Sequence, residues 1–313
     1  MKGIELSKRY YLEHGAPMIH SLFPEFEPLI AVGLTGSGSE CFGFDDSISR
    51  DHDFEPAFCL FLPEEALVDR RTEFALEIAY SRLPKVFLGF KRTNIDPVGG
   101  KRHGVMRISD YFEGKIGSCD GRLALRDWFN IPEPCLAEAT NGEIFRDDFG
   151  RLTSIRQRIA HYPEDVRLKK IAGNLVMMGQ AGQYNYPRCM QRGDTASAQL
   201  SCIEFVKAAL NVIFLLGRVY APYYKWVFRA LSTLPILSEL GEPLEWLISS
   251  PNTAESAQEK QNTIELVCSG ICTELRRQGL TNNQTSGAEA QAYTVNDRIA
   301  DISIRNLHIL YAV

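Results

Sequence analysis

Apolar positions recur at helical spacing through residues 3–28, which predicts one or two helices at the start of the chain. "LIAVGLT" (29–35) is a short apolar run ending at a glycine and reads as a buried strand. "GSGSE" follows as a turn, and "ECFGF" starts a short helix. "DHDFEPAFCLFLP" alternates and then becomes wholly apolar, the pattern of a central strand. Pro63-Glu64-Glu65 predicts the opening of a long helix to about Leu83, with proline and acids in its first turn. "KVFLGFKR" and "HGVMRIS" are further strand candidates, separated by the loop "TNIDPVGGKR". "DYFEGKIG" predicts a short helix.

The pattern changes after about residue 120. "LALRDWF" and "PCLAEAT" are helical, and "GEIFRDD" is a short extended piece. From Leu152 onward helices dominate: 152–161, 163–182, 195–219, 222–232, 243–249, 254–279 and about 294–307. Within the second of these, "RLKK" (167–170) reads as a solvated helix face. The expectation is a front α/β half, residues 1–125, and a helical back half, residues 126–313.

A length of 313 residues fits two domains of ordinary soluble composition. The net charge of -5 argues against a broad basic face for nucleic acid, so no extended nucleic-acid surface is expected. A nucleotide or a local basic patch stays open. The eight cysteines form no C-x-x-C pair and mostly sit in apolar runs, as buried thiols in a reducing compartment do. The N-terminus has no apolar segment of the signal-peptide kind. The longest apolar run, "AALNVIFLLG", is about half of what a bilayer requires. The expectation is a cytoplasmic chain with no membrane partner.

Candidate chemistry concentrates in Asp51-His52-Asp53 and in the turn before it. On a strand, residues i and i+2 share a face, so Asp51 and Asp53 would project side by side. Two close carboxylates repel, and a hard divalent cation such as Mg²⁺ relieves the repulsion. A strand ending in Gly36-Ser37-Gly38-Ser39 and leading into a helix aims N–H groups and hydroxyls at one point, an anion cradle. The bland alternatives are a solvated acidic loop and a ligand-free tight turn. His52 would face the opposite side, as a structural residue. Asp45 and Asp46 read as solvated acids or caps. Glu40 reads as a cap or a site contributor.

Gly38-Ser39, a spacer, then Asp51-His52-Asp53-Phe54 resembles the signature of the nucleotidyltransferase superfamily, which includes polymerase beta and kanamycin nucleotidyltransferase. "GSGSECFGFDDSISRDHDF", "LTSIRQRIAHYPEDV", "QRGDTASA" and "YAPYYKW" together resemble a bacterial family of uncharacterised proteins assigned to it. The resemblance implies an α+β fold, a mixed sheet flanked by helices, with a C-terminal helical bundle closing a nucleotide cleft. It implies Mg²⁺ or Mn²⁺ on Asp51 and Asp53 as catalytic and metal-binding residues, an NTP held at Ser37, Gly38 and Ser39, and transfer of its nucleoside monophosphate to an acceptor hydroxyl. The chain departs from the superfamily pattern at Met106, where the neighbouring strand would carry a third carboxylate. Methionine neither binds Mg²⁺ nor accepts a proton. That opens a second expectation, a degenerate nucleotide-binding sensor, unless Asp110 substitutes; a helix N-cap is the plainer role for Asp110.

In the back half, Arg192 precedes a helix that Asp194 would cap, and Lys225 lies among the aromatics of "YAPYYKW". Both are candidate phosphate contacts. Packing and snorkelling are the alternatives for Lys225. Glu204, Lys207 and Asn211 share a helix face and would line a cleft or form a surface ion pair.

Overall fold

The computed structural model describes residues 1–50, 54–92 and 102–313. Its fold is mixed α+β, a small mixed sheet flanked by helices and followed by C-terminal helices. The chain divides into two compact units, Met1–Leu123 with Pro134–Ala160, and Ala124–Glu133 with His161–Val313. Pro134–Ala160, placed in the back half by its helical pattern, joins the front unit because it carries a strand of the sheet.

In the first unit α1 (Gly3–Tyr10) runs through a π-helical turn (Tyr11–Gly15) into α2 (Ala16–Leu22). The sheet contains β1 (Ala31–Leu34), β2 (Cys59–Leu62), β5 (Gly104–Arg107) and β6 (Glu143–Arg146), in the order β5-β2-β1-β6. β1 is antiparallel to β2 and to β6, and β2 is parallel to β5 with Phe61 opposite Met106. Between β2 and β5 lie α3 (Arg70–Ser81) and a two-stranded hairpin, β3 (Val86–Phe87) and β4 (Phe90–Lys91). "KVFLGFKR" is thus a hairpin rather than one strand. Leu88 and Gly89 turn it with φ of 51° and 84°, the left-handed pair that a two-residue hairpin turn uses. α4 (Ile108–Ile116), α5 (Glu133–Thr140) and α6 (Arg151–Arg158) complete the flanking helices, α5 opening on the residue that ends the other unit's first segment.

Two elements are shorter than the pattern predicts, for the same reason. β2 begins only at Cys59: before it the Phe58 carbonyl still accepts from the Gly104 N–H (3.0 Å), but side chains take the other backbone groups. The Tyr80 hydroxyl donates to the Phe58 carbonyl (2.8 Å) and accepts from its N–H (3.1 Å), and Ser7 Oγ donates to the Ala57 carbonyl. α3 begins at Arg70 rather than at Pro63, because Asp69 caps it by accepting from the Thr72 N–H (2.8 Å). The Pro63 and Val68 carbonyls instead accept from the buried Arg107 guanidinium (2.8 and 2.7 Å). The core of this unit is aromatic: Tyr10, Tyr11 and Tyr80 all pack around the buried Phe58 ring. Gly15 lets the π-helical turn sit on that ring, where a Cβ would come within 2.4 Å of Phe58.

The second unit contains α7 (Glu164–Met178), a π-helical segment (Gly179–Asn185), α8 (Tyr186–Gln191) and α9 (Thr195–Leu216). α10 (Val227–Leu231), α11 (Gly241–Ser249), α12 (Ala254–Arg277), α13 (Ala288–Asn296) and α14 (Ile302–Arg305) follow. α9 is long and apolar enough to cross a membrane by length and composition alone, yet 61% of its apolar window is buried. α7 corrects the reading of "RLKK" as a solvated face: Arg167, Leu168, Lys169 and Lys170 are all buried. Each cation meets acceptors: Arg167 meets Glu164 (2.6 Å) and the Leu215 carbonyl (3.2 Å), and Lys170 meets Glu133 (3.5 Å). Helical periodicity says which face a residue occupies, and only the neighbours decide whether that face sees water.

Candidate functional site

The Gly36-Ser37-Gly38 turn leaves the end of β1 at the wall of a cavity of about 340 Å³. The opposite wall comes from Arg102, His103 and Met106 at β5, and from Asp110, Tyr111 and Lys115 of α4. The sheet order explains the convergence: β1 and β5 both flank β2. The turn is held from behind. Asn141, just after α5, accepts from the Gly36 N–H (2.9 Å) and donates to the Gly36 carbonyl (2.8 Å), as a paired strand would. Thr35 Oγ1 lies within hydrogen-bond reach of Asn141 Oδ1 (3.0 Å), the Glu138 carbonyl (3.0 Å) and the Tyr111 hydroxyl (3.1 Å). Arg156 donates to Thr35 Oγ1 (3.1 Å) and to the Thr140 and Asn141 carbonyls (2.7 and 2.6 Å). Burial holds the Arg156 pKa below its usual value.

Gly36 has φ +125°, and a Cβ added there would meet nothing within 4 Å, so the position needs glycine for its backbone rather than for space. Its N–H is taken by Asn141, which leaves the turn fewer free donors than the cradle reading expects. Ser37 is exposed at the cavity, Gly38 lines it, and Ser39 is buried at the start of a single 3₁₀ turn, Ser39–Phe42. Glu40 is buried, and its carboxylate lies over Gly38, where an added Cβ would come within 1.8 Å of it.

Of the expected metal ligands, Asp51 and Asp53 lie outside the described residues, as does His52. The carboxylates at the described cavity wall are Glu40 and Asp110. Asp110 is not the N-cap of α4: that position belongs to Arg107, and Asp110 sits in the first turn with its side chain exposed at the cavity. Met106 does line the cavity. No group of three or more His, Cys, Asp or Glu among the described residues could hold a metal ion. Asp45 and Asp46 are caps. Asp45 accepts from the Gly3 N–H at the start of α1 (3.0 Å), and Asp46 accepts from Ile48 and Ser49 (3.0 and 3.1 Å).

Two basic side chains of the wall are tethered: Lys115 to Glu138, and His103 to Glu55 at 3.3 Å. Burial raises the Cys41 thiol well above its ordinary range and pushes Cys59 up to about 12, so neither is a thiolate nucleophile near neutral pH. Thr35, Asn141, Tyr111 and Arg156 were not legible as site residues, apart from the turn signal of Asn141-Gly142.

Arg192 and Lys225 lie in the second unit, and both are exposed. Asp194 caps α9 by accepting from the Ser197 N–H (3.0 Å). The polar stripe on α9 splits: Glu204 and Lys207 form an exposed ion pair (3.0 Å), and Asn211 donates to Asn174 of α7 (3.1 Å).

Residues 128–227 match the family described as Domain of unknown function (DUF4037). The match covers about a third of the chain. DUF4037 takes in α5, β6, α6, α7, α8 and α9, and the matched residues do not include the glycine turn or Asp51-His52-Asp53. No curated protein and no solved structure matches the chain.

Proposed function

We propose that the protein is a Mg²⁺-dependent nucleotidyltransferase that moves a nucleoside monophosphate from an NTP to an acceptor hydroxyl of a small molecule, protein or RNA, breaking the α–β phosphoanhydride and releasing pyrophosphate. One observation supports this most: the glycine-serine turn, pinned by Asn141, walls a cavity of about 340 Å³, a ligand-sized volume. In this reading Ser37, Gly38 and Ser39 position the triphosphate. The described carboxylates make no metal cluster by themselves, so the ion rests on Asp51 and Asp53. When bound, Mg²⁺ (or Mn²⁺) would neutralise phosphate oxygens and lower the pKa of the acceptor hydroxyl. Asp110 stands at the cavity wall, where a carboxylate can accept the acceptor's proton.

The second reading is a nucleotide-binding sensor without turnover. Met106 favours it, since it lines the cavity on the strand where the superfamily pattern has an acid. Incubation with each labelled NTP, Mg²⁺ or Mn²⁺ and cell extract separates the two. Label transfer lost in Asp51→Ala/Asp53→Ala supports the enzyme. Saturable nucleotide binding by calorimetry with no transfer supports the sensor, and absence of both rejects both readings.

A further inference from the structure

Within "YAPYYKW" the second unit presents two aromatic side chains, Tyr223 and Tyr224, to solvent, while Tyr220 packs on Tyr162 and Trp226 is half-buried. Ala221 and Pro222 are buried and anchor the segment, and Tyr223–Trp226 then emerges across a 3₁₀ turn. Tyr224 is 75% exposed and Tyr223 47%, with their rings 4.3 Å apart and tilted. Lys225 Nζ lies 5.0 Å from the Trp226 ring centroid, and the Arg229 guanidinium 5.9 Å. Lys225 makes no ion pair among the described residues.

The surrounding sequence is positive although the chain is negative. Residues 205–238 carry Lys207, Arg218, Lys225 and Arg229 and no Asp or Glu. Lys207 and Arg218 are spent on Glu204 and Glu164 (3.0 and 3.1 Å), which leaves Lys225 as the ammonium beside the tyrosines.

Exposed rings cost free energy unless something covers them. A cation in a stretch without acids selects an anionic cover, and the flat faces select a planar one. We propose that this face is a stacking platform for single-stranded nucleic acid. One or two unpaired bases lie on Tyr223 and Tyr224, and Lys225 contacts a flanking phosphate. Stacking accepts any base, and a duplex hides its base faces, so the site distinguishes strandedness rather than sequence. A platform this small does not need the broad basic surface that the net charge argues against. It gives Lys225 a strand phosphate in place of the triphosphate contact expected from the sequence, and strand binding is measured without NTP or turnover, so its failure and that of the transfer reading are read separately.

The test is anisotropy titration of the full chain against a fluorescein-labelled single-stranded oligonucleotide, a duplex hairpin of equal length, and phosphatidylserine vesicles. The expected result is saturable binding of the single strand and markedly weaker binding of the hairpin. Tyr224→Ala should weaken the single strand on the order of tenfold, and Tyr224→Phe should keep it, because the ring and not the hydroxyl carries the stack. Lys225→Ala should flatten the dependence of log affinity on log salt by about 0.7. Both tyrosines are exposed, so unchanged thermal unfolding certifies the variants. Any of four results overturns the proposal: no saturation with the single strand, equal affinity for the hairpin, indifference to Tyr223→Ala/Tyr224→Ala, or vesicle binding in place of strand binding. Concentration-dependent self-association lost in Tyr224→Ala would also overturn it, by showing that a second copy covers the patch.

Discussion

Arg107 in the first unit meets a carboxylate, with Nη2 2.7 Å from Glu73, whereas Lys169 and Lys260 in the second are fully buried and meet only neutral oxygens. Lys169 donates to Asn296 (2.9 Å) and to the Arg305 and Leu307 carbonyls (3.1 and 2.6 Å). Lys260 donates to the Leu247 and Ser250 carbonyls (3.0 and 2.8 Å) and to Asn252 (2.8 Å). These two ammonium groups close the C-terminal ends of α14 and α11, where unpaired carbonyls collect and the helix dipole favours positive charge. Arg107 does something different: it ties the segment before α3 to β5 and thereby fixes one wall of the cavity. In one unit buried charge holds a shape around a space, and in the other it finishes the packing of a helical bundle.

Arg107→Ala should have the largest effect on this contrast. It strands two carbonyls and leaves the half-buried Glu73 without its cation, a loss of about 3–5 kcal/mol, read by chemical denaturation. A loss under about 1 kcal/mol would show that the tie is ornamental. Asn141→Ala should cost about 2 kcal/mol, since it frees the Gly36 N–H and carbonyl from their partners. It should also weaken nucleotide binding by calorimetry, because the turn loses its backing. Unaltered binding would dissociate the turn from the site.

Lys260→Met should cost about 1–2 kcal/mol through the orphaned carbonyls, and it carries a pH signature. Burial lowers the pKa of Lys260 in the folded chain. Unfolded lysine therefore holds its proton to higher pH than the folded one, and stability rises with pH between the folded value and about 10.4. This contribution is fully present above that unfolded value and is lost as pH falls through the folded one. Raised tyrosine and cysteine pKa values oppose the trend in the whole protein, so the measurement is the difference between wild type and Lys260→Met. That difference should grow in favour of wild type as pH approaches 10, and a flat difference would show no shift. Gly36→Ala should be the mildest, about 1 kcal/mol of backbone strain with no clash, read as a small drop in Tm.

The elements were largely legible because their signals are local. Val32 and Leu34 sit in an apolar run that only a buried strand explains, and Asp194 announced its cap. The misreadings came where one segment's backbone is completed by a distant side chain. Pro63-Glu64-Glu65 carries a good helix-start signal, yet Arg107, 44 residues away, takes the Pro63 carbonyl and the helix opens only at Arg70. Half of the candidate site followed the same division: the glycine turn could be read from its own residues, and its backing by Asn141 and Arg156 could not.

The order of apolar and polar residues by itself determined that a strand runs into a glycine-serine turn, that a helical half follows an α/β half, and that Met stands at position 106. Periodicity and turn chemistry act within a few residues, so one chain suffices to read them. Which faces of α7 are dry, which carbonyls Arg107 satisfies, and that Met106 and Asp110 look onto the same cavity as Ser37 were decided by the tertiary structure. Burial and hydrogen-bond completion depend on neighbours far away along the chain, as Asn141 is from Gly36, and no local pattern encodes who those neighbours are.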